Sequence, residues 1–390
     1  MNKNILWLVS WYPNALSPYD GDFIQRHARA VALFQKLTVI YVKKDERGSI
    51  TKNIKIVSSS ERNLTEIIVY YHVPSTKFRL LNKINSVIKY KNVYRNILKK
   101  YISQNGKPDL VHVHVALKAG VNALWLKKKF NIPFIVSEHW SGYLPEAKNG
   151  VKNLSLIQKK LLGRILNEAK KNTVVSDELG KAIKKQFELN EYTVVQNVVD
   201  TNVFFPTQKI KNNVVQFIHI SSLDYKKNIP EIIEAFNLVR KRGYEFRFVI
   251  IGPGKQDVIE LIEMKSLSKF IEYKNEVPQT ELASYLRVSD ALILYSHYET
   301  FGCVVIEANA CGVPAILSDL PVFKEYITEN ENGILVNTDN PLALADVIEN
   351  FILAKYTFDN KSIGKKTAER FNYDIIGRQF CQVYENVLTS

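Results

Sequence analysis

The chain of 390 residues is 46% hydrophobic and 24% charged, enough apolar material for an ample core and, at this length, for two domains rather than one. No apolar run approaches the roughly 20 residues of a membrane span. The first run lacks a small-residue cleavage site, and the three cysteines, Cys303, Cys311 and Cys381, are scattered without metal-ligand spacing, so secretion and membrane crossing are unsupported and a reducing cytoplasm is the simplest home. The formal net charge of +14 is local: residues 76 to 185 hold 23 Lys and Arg against 6 Asp and Glu, whereas the rest of the chain holds 30 against 33.

In chain order, the first half gives the short apolar runs NILWLVS (4–10), LTVIYV (37–42), IKIVS (54–58), IIVYYHV (67–73), DLVHVHV (109–115), PFIVSEH (133–139) and TVVS (173–176). Many are rich in Val and Ile and too apolar for half-exposed strands, as expected of parallel strands covered on both faces. Trp11 and Tyr12, just after the first run, read either as core or as a stacking surface for a sugar. Gly21 and Asp22 read as a turn or as a loop beside a ligand. Between the fourth and fifth runs, FRLLNKINSVIKYKNVYRNILKKYI places apolar residues at Leu80, Leu81, Ile84, Val87, Ile88, Tyr94, Ile97, Leu98 and Tyr101 with Lys and Arg in the gaps. That spacing predicts an amphipathic helix with a basic outer face. The face is either an ordinary solvated surface or an attraction for an anionic membrane or polyanionic substrate; no nucleic-acid reading module accompanies it. His112 and His114 alternate on one strand and so point the same way, but without an obvious carboxylate partner they read as structural or cleft-lining rather than as a metal pair.

A polar stretch with Pro206, VVQNVVDTNVFFPTQKIKNNVV, separates a second series: VVQFIHIS (214–221), FRFVIIG (246–252), FIEYK (270–274), ALILYS (291–296), PAILS (314–318) and GILV (333–336). Helical patterns such as NIPEIIEAFNLVRKRG lie between them. The strand and helix rhythm of a doubly wound α/β sheet therefore runs twice. Two such domains facing each other form a cleft, and ligands in these sheets bind beyond the carboxyl ends of the strands. The candidate motifs sit there: Gly21-Asp22-Phe23 after the first run, Ser137-Glu138-His139-Trp140 after the sixth, and SSLDYKKN, GPG from Gly252, and SHYETFG in the second half.

The stretch SHYETFGCVVIEANACGVP (296–314) carries most of the chemistry. A loop after a strand leads through Phe301 and Gly302 into a helix stopped by Gly312 and Pro314. The free amides near Gly302, Cys303 and Val304 form a natural diphosphate site. Glu307 lies one turn in, and helical side chains lean toward the N-terminus, so its carboxylate reaches back over the same ligand. Carboxylates repel phosphate; the economical reading is that Glu299 and Glu307 accept hydrogen bonds from sugar hydroxyls on either side of a diphosphate. The alternative is structural, with Glu307 paired to a core lysine and Glu299 capping the helix. Cys303 reads as a small residue at a helix start, with no sign of nucleophilic use.

These residues resemble the retaining glycosyltransferases of the GT-B fold, glycosyltransferase family 4, whose hallmark is two glutamates with seven residues between them and Phe-Gly after the first. Here the motif stands as ETFGCVVIE, and the likeness covers nearly the whole chain. NIPFIVSEHW resembles the segment ending in a functional histidine, which maps to His139. VVQNVVDTNVF resembles the linker signature. SSLDYKKN resembles the loop that supplies an arginine and a lysine to the donor phosphates, with Lys227 at the lysine position and Ser222 where the arginine usually stands, so that one positive charge on the diphosphate is missing or comes from Lys226. IEYKNEVP, with Val277, resembles the base-binding segment, and FNYDIIGRQFCQVYENVL the terminal helix.

The resemblance implies an N-terminal acceptor domain over residues 1–200, a nucleotide-sugar domain over 201–372, and a C-terminal helix, 373–390, packed back on the first domain. It also implies a metal-independent retaining enzyme with no cofactor that moves a sugar from a UDP- or GDP-sugar to a glycan or lipid-linked acceptor in cell-surface polysaccharide synthesis, in the cytoplasm or at the inner membrane face. His139, Glu299 and Lys227 would be catalytic. Ser222, Gly252, Val277, Phe301, Gly302, Cys303, Val304 and Glu307 would join Lys227 and Glu299 around the donor, and Gly21, Asp22, Trp11 and Tyr12 would form the acceptor and phosphate loop. A sugar-nucleotide epimerase of the same architecture and a non-catalytic membrane- or polyanion-binding protein are the alternatives.

Overall fold

The alternation of short Val and Ile runs with amphipathic segments produces two helix-covered sheets in a computed structural model that describes residues 3–74, 76–208 and 214–389. The first sheet contains β1 (Asn4–Val9), β2 (Lys36–Lys44), β3 (Ile54–Glu61), β4 (Leu64–Tyr71), β5 (Leu110–His114), β6 (Phe134–Glu138), β7 (Asn172–Val174) and β8 (Thr193–Val194), in the spatial order β3-β4-β2-β1-β5-β6-β7-β8. The second contains β9 (Gln216–Ile220), β10 (Arg247–Ile251), β11 (Ile271–Lys274), β12 (Ala291–Leu294), β13 (Ala315–Ser318) and β14 (Gly333–Val336), ordered β11-β10-β9-β12-β13-β14 and parallel throughout. In each sheet the winding reverses beside a central strand: β1 lies between β2 and β5, and β9 between β10 and β12. These are the positions where ligands bind in doubly wound folds.

The first half carries helices α1 (Asp22–Ala32), α2 (Arg79–Asn105), α3 (Ala116–Phe130), α4 (Leu156–Glu168) and α5 (Asp177–Phe187). The second carries α6 (Ile229–Lys241), α7 (Gln256–Met264), α8 (Gln279–Val288), α9 (Cys303–Ala310), α10 (Pro321–Lys324), α11 (Pro341–Ile352), α12 (Asn360–Phe371) and α13 (Tyr373–Thr389). Residues from α2 to α5 share one apolar cluster that continues into the second domain at Leu292 and Val305, whereas Ile24 and Ala28 of α1 and Phe380 of α13 pack on the opposite face of the first sheet. Among the described residues no helix is long and apolar enough to cross a membrane.

Two expectations are corrected here. The run IKIVS is not a covered parallel strand: β3 pairs antiparallel with β4 alone and is exposed along its whole length, because it is a sheet edge whose sequence turns polar at Ser58, Ser59 and Ser60. The helix α2 exists, but only its second half buries the apolar stripe, through Val93, Tyr94, Leu98 and Tyr101; in the first half Leu80, Leu81, Ile84, Val87 and Ile88 are exposed. Part of the expected break between the halves, residues 209–213, lies outside the described residues.

Two sets of polar contacts tie the chain across its halves. Glu325, just after α10, accepts from the backbone N–H groups of Asp177 (3.0 Å) and Glu178 (3.1 Å), so it caps the start of α5 from the other domain. At the end of the chain, the Tyr384 hydroxyl of α13 accepts from Trp7 Nε1–H at 3.2 Å and lies 2.8 Å from His112 Nδ1. All three side chains are buried. Tyr384→Phe leaves two buried polar groups unpaired and is expected to cost about 1 to 3 kcal/mol of stability, read as a lower midpoint in urea unfolding.

Candidate functional site

Beyond the central strands the loops of both domains line one cavity of about 430 Å³. Trp11, Asp22, Phe23, Arg26 and His139 come from the first domain; Ser222, Lys226, Lys227, Gly252, Val277 and Glu299 come from the second. The start of α9 adds Phe301, Gly302, Cys303, Val304 and Glu307. Of the residues expected at the site, two contribute no surface to it. Tyr12 is fully buried, and its hydroxyl donates to Glu66 Oε1 at 2.6 Å, so it is core beneath α1 while its neighbour Trp11 faces the cavity. Gly21 acts through the backbone: at φ 68° a side chain there would be strained, and a Cβ would meet the Trp11 carbonyl carbon at 2.6 Å. That close turn starts α1 and sets Asp22 and Arg26 on the cavity wall.

The loop after β9 is shaped by Asp224, whose side chain accepts from the Lys226 N–H at 3.2 Å and caps a short turn, Tyr225–Lys227. The buried Lys227 ammonium donates to Glu299, which also accepts from Ser296 Oγ at 3.0 Å. Burial alone would raise the Glu299 carboxyl, but Lys227 and Lys226 outweigh it and hold the group below its ordinary range, as a carboxylate. Burial opposes the charge of Lys226, and the Glu299 and Asp224 carboxylates restore it, with the net shift upward. Ser222 is exposed and donates to Asp224 Oδ2 at 2.8 Å. The cations this loop sets toward the cavity are thus Lys226 and Lys227.

Helix α9 begins at Gly302, which sits at φ 84° and carries no side-chain cap, so the first amides of the helix are left for a ligand. Burial pushes the neighbouring Cys303 thiol up to about 12, which keeps it protonated and inert. Glu307, one turn in, meets neither a core lysine nor open solvent: its Oε1 accepts from Arg26 Nη1 of the other domain at 2.6 Å. Arg26 is only 2% exposed, and its Nη2 lies 3.4 Å from Asp22, which in turn accepts from Gln279 Nε2 at 2.8 Å. Burial raises the Glu307 carboxyl and Arg26 pulls it back, while Asp22 and Glu307 hold the guanidinium charged against its own burial. The sequence reading missed Arg26. The available signal was a guanidinium among the residues of α1 that face inward, between Ile24 and Ala28, where a cation needs a partner.

His139 forms the opposite wall. Its ring stacks on His114 at 5.5 Å between centroids, with His139 Nε2 3.3 Å from His114 Nδ1, and Phe23 lies 4.9 Å away. His27, His114 and His139 each bring a ring nitrogen within 4.8 Å of the others. Burial lowers all three, His27 to about 3, so they stand as neutral imidazoles at pH 7. His112 is held between Tyr384 and Ser137, away from the cavity, and its role is structural.

The residue before His139 fixes this wall: Glu138 Oε1 accepts from Ala116 N–H and from the Tyr143 hydroxyl, both at 2.8 Å. Burial raises its carboxyl from 4.5 to about 7. A carboxyl raised in the folded state contributes stability that is complete below about pH 4.5 and lost as the pH rises to about 7. Relative to Glu138→Gln, the wild type is expected to lose on the order of 3 kcal/mol across that window and then run parallel to it, as measured by urea unfolding at a series of pH values.

Comparison with known proteins matches two family patterns end to end: "Glycosyltransferase Family 4" over residues 53–203 and "Glycosyl transferases group 1" over residues 200–370. An alpha-monoglucosyldiacylglycerol synthase of Acholeplasma laidlawii is 28% identical over 272 residues, 63% of this chain and 68% of that protein. An uncharacterized glycosyltransferase of Methanocaldococcus jannaschii is 26% identical across 86% of this chain and 90% of its own length. Among solved structures, a sucrose-phosphate synthase of Thermosynechococcus elongatus superposes with a TM-score of 0.78 at 18% identity, over 99% of this chain and 100% of that one. Anabaena HepE, solved with UDP and glucose, gives a TM-score of 0.72 at 15% identity, over 99% of this chain and 100% of that one. With both of its halves matched and its cleft assembled from the same two doubly wound domains, the chain belongs to the family 4, group 1 glycosyltransferases of the GT-B fold.

Proposed function

We propose that this glycosyltransferase transfers a sugar, with retention of configuration, from a UDP- or GDP-sugar to a lipid-linked or growing surface glycan at the inner membrane face. The observation that carries the reading is the uncapped start of α9 flanked by two carboxylates, Glu299 and Glu307, each fixed through one oxygen by a cation. The diphosphate sits on the α9 amides with Lys227 and Lys226 beside it. The remaining oxygen of Glu307 takes the ribose hydroxyls while Arg26 holds the carboxylate still, and that of Glu299 takes a hydroxyl of the donor sugar. His139, neutral, contacts the same sugar from the other domain.

Breaking the bond between sugar and phosphate builds negative charge on the leaving diphosphate, so fixed donors around it are the main lever. Both glutamates are committed to cations, which suits hydroxyl clamps better than an acid and base pair. The acceptor proton then leaves with the phosphate oxygen, and the lysines and amides supply the charge that a metal would otherwise provide. A relative named for a glucosyldiacylglycerol product and a similarly folded protein solved with UDP and glucose support a nucleotide-sugar donor and a lipid-linked acceptor.

Incubation with UDP- and GDP-sugars and a lipid-linked acceptor tests the reading: a new glycoside of the donor's anomeric configuration is expected, and an altered sugar nucleotide without transfer would make the protein an epimerase. Lys227→Ala is expected to lower turnover roughly 10²- to 10³-fold, the scale of losing one donor to a developing oxyanion. Glu307→Gln keeps an acceptor for Arg26 but weakens the ribose clamp, so its UDP affinity by calorimetry should fall about tenfold, a loss of about 1.4 kcal/mol; unchanged affinity would remove Glu307 from the donor site.

A further inference from the structure

The first half of α2 carries an apolar stripe that is left uncovered among the described residues. Leu80, Leu81, Ile84, Val87 and Ile88 are 71%, 48%, 46%, 53% and 52% exposed, and at 100° per residue they share one face of roughly 120°. This is not a frayed end. Thr76 and Asn82 exchange three hydrogen bonds of 2.8 Å across the helix start, and Lys89 Nζ donates to Asn53 Oδ1 at 3.3 Å. Exposed lysines border the stripe at Lys77, Lys83 and Lys91. A second apolar point lies at the start of α4, where Leu156 and Ile157 are 76% and 80% exposed between the exposed Lys152 and Lys160.

Helices α2 and α4 cover the same face of the first sheet, and each begins after the carboxyl end of a parallel strand, β4 or β6. Both apolar points therefore lie toward the edge of the domain where the cavity opens. An exposed apolar patch of this kind marks an interaction surface, and the lysines select its occupant. A second copy of the chain would press two lysine-rich rims together. A bilayer with anionic headgroups complements the lysines and takes the apolar side chains into its acyl boundary.

We infer that the starts of α2 and α4 dock the protein on an anionic lipid surface, with the apolar side chains inserted at headgroup depth and the lysines over the phosphates. This deepens the membrane-face part of the proposed function and is independent of the donor chemistry. Docked in this way, the cavity opens toward the bilayer, so a lipid-linked acceptor reaches it without leaving the membrane.

The test is sedimentation with phosphatidylcholine vesicles containing about one third phosphatidylglycerol, compared with phosphatidylcholine alone, at ~0.1 M and ~1 M salt, where the screening length falls from about 10 Å to about 3 Å. The wild type is expected to sediment with the anionic vesicles and to retain part of its binding at high salt. The combined variant Leu80→Gln, Ile84→Gln, Val87→Gln should lower the bound fraction about tenfold at both salt concentrations. Lys83→Glu with Lys91→Glu should lower it chiefly at low salt. All these side chains are exposed and away from the cavity, so UDP affinity and the far-UV spectrum should not change. The inference is overturned if the wild type does not sediment, if the glutamine variant binds as well as the wild type, or if ultracentrifugation shows a dimer that the glutamine variant abolishes. Vesicle binding without transfer to a detergent-dispersed lipid-linked acceptor would remove the acceptor assignment and leave the docking surface standing.

Discussion

A guanidinium shut away from water between two domains must be partnered, and the pairing of Arg26 with Glu307 is the contact around which the rest of the cleft is arranged. Removing one partner from such a pair costs about 3 to 5 kcal/mol because a charge is left buried and alone. The pair explains why α1 has to begin at a tight turn: Gly21 lets the chain fold back under Trp11 so that Arg26, one turn into the helix, reaches the second domain. It also explains why α9 can carry a carboxylate in a helix whose other side chains are nearly all apolar. The same contact that closes the two domains orients the group proposed to hold the ribose.

The electrostatics of the cavity follow a single pattern. Each glutamate that lines it beside α9 is matched by a cation from another element, Glu299 by Lys227 and Glu307 by Arg26. Lys226, the Lys227 N–H donors that Glu299 does not take and the α9 amides are left over, and these are the groups suited to an anion. The wall around His139 is uncharged, because burial keeps His27, His114 and His139 neutral. Under the proposed function a nucleotide sugar would divide along the same line, with its diphosphate toward the second domain and its sugar ring between Glu299 and His139.

Much of this was legible in the residues. The strand runs stand out because parallel strands covered on both faces cannot afford polar positions, and the segment from Ser296 to Pro314 announces its helix start through Gly302 and its stop through Gly312 and Pro314. What stayed hidden depended on contacts distant in sequence. Arg26 and Glu307 are 281 residues apart, and no local pattern links them. Tyr12 and Trp11 are adjacent and both aromatic, yet one is core and the other faces the cavity, since alternation along the chain sends them to opposite sides. The α2 stripe shows a different limit: periodicity reports that a helix has an apolar face, but not whether the protein itself covers it. The second half of α2 is covered and the first is not, although the spacing of apolar residues is the same in kind.

Glu325 adds a kinetic dimension. By accepting the first two amides of α5 from the other domain, it occupies a helix N-terminus that a carboxylate favours by about 0.3 to 1 kcal/mol. Together with Arg26 and Glu307 it makes closure a matter of a few discrete polar contacts rather than of a broad apolar seam alone. Such contacts break together when the domains separate. Under the proposed function a spent nucleotide held on the α9 amides would leave only as far as these ties loosen, so the rate of opening would compete with the rate of chemistry for control of turnover.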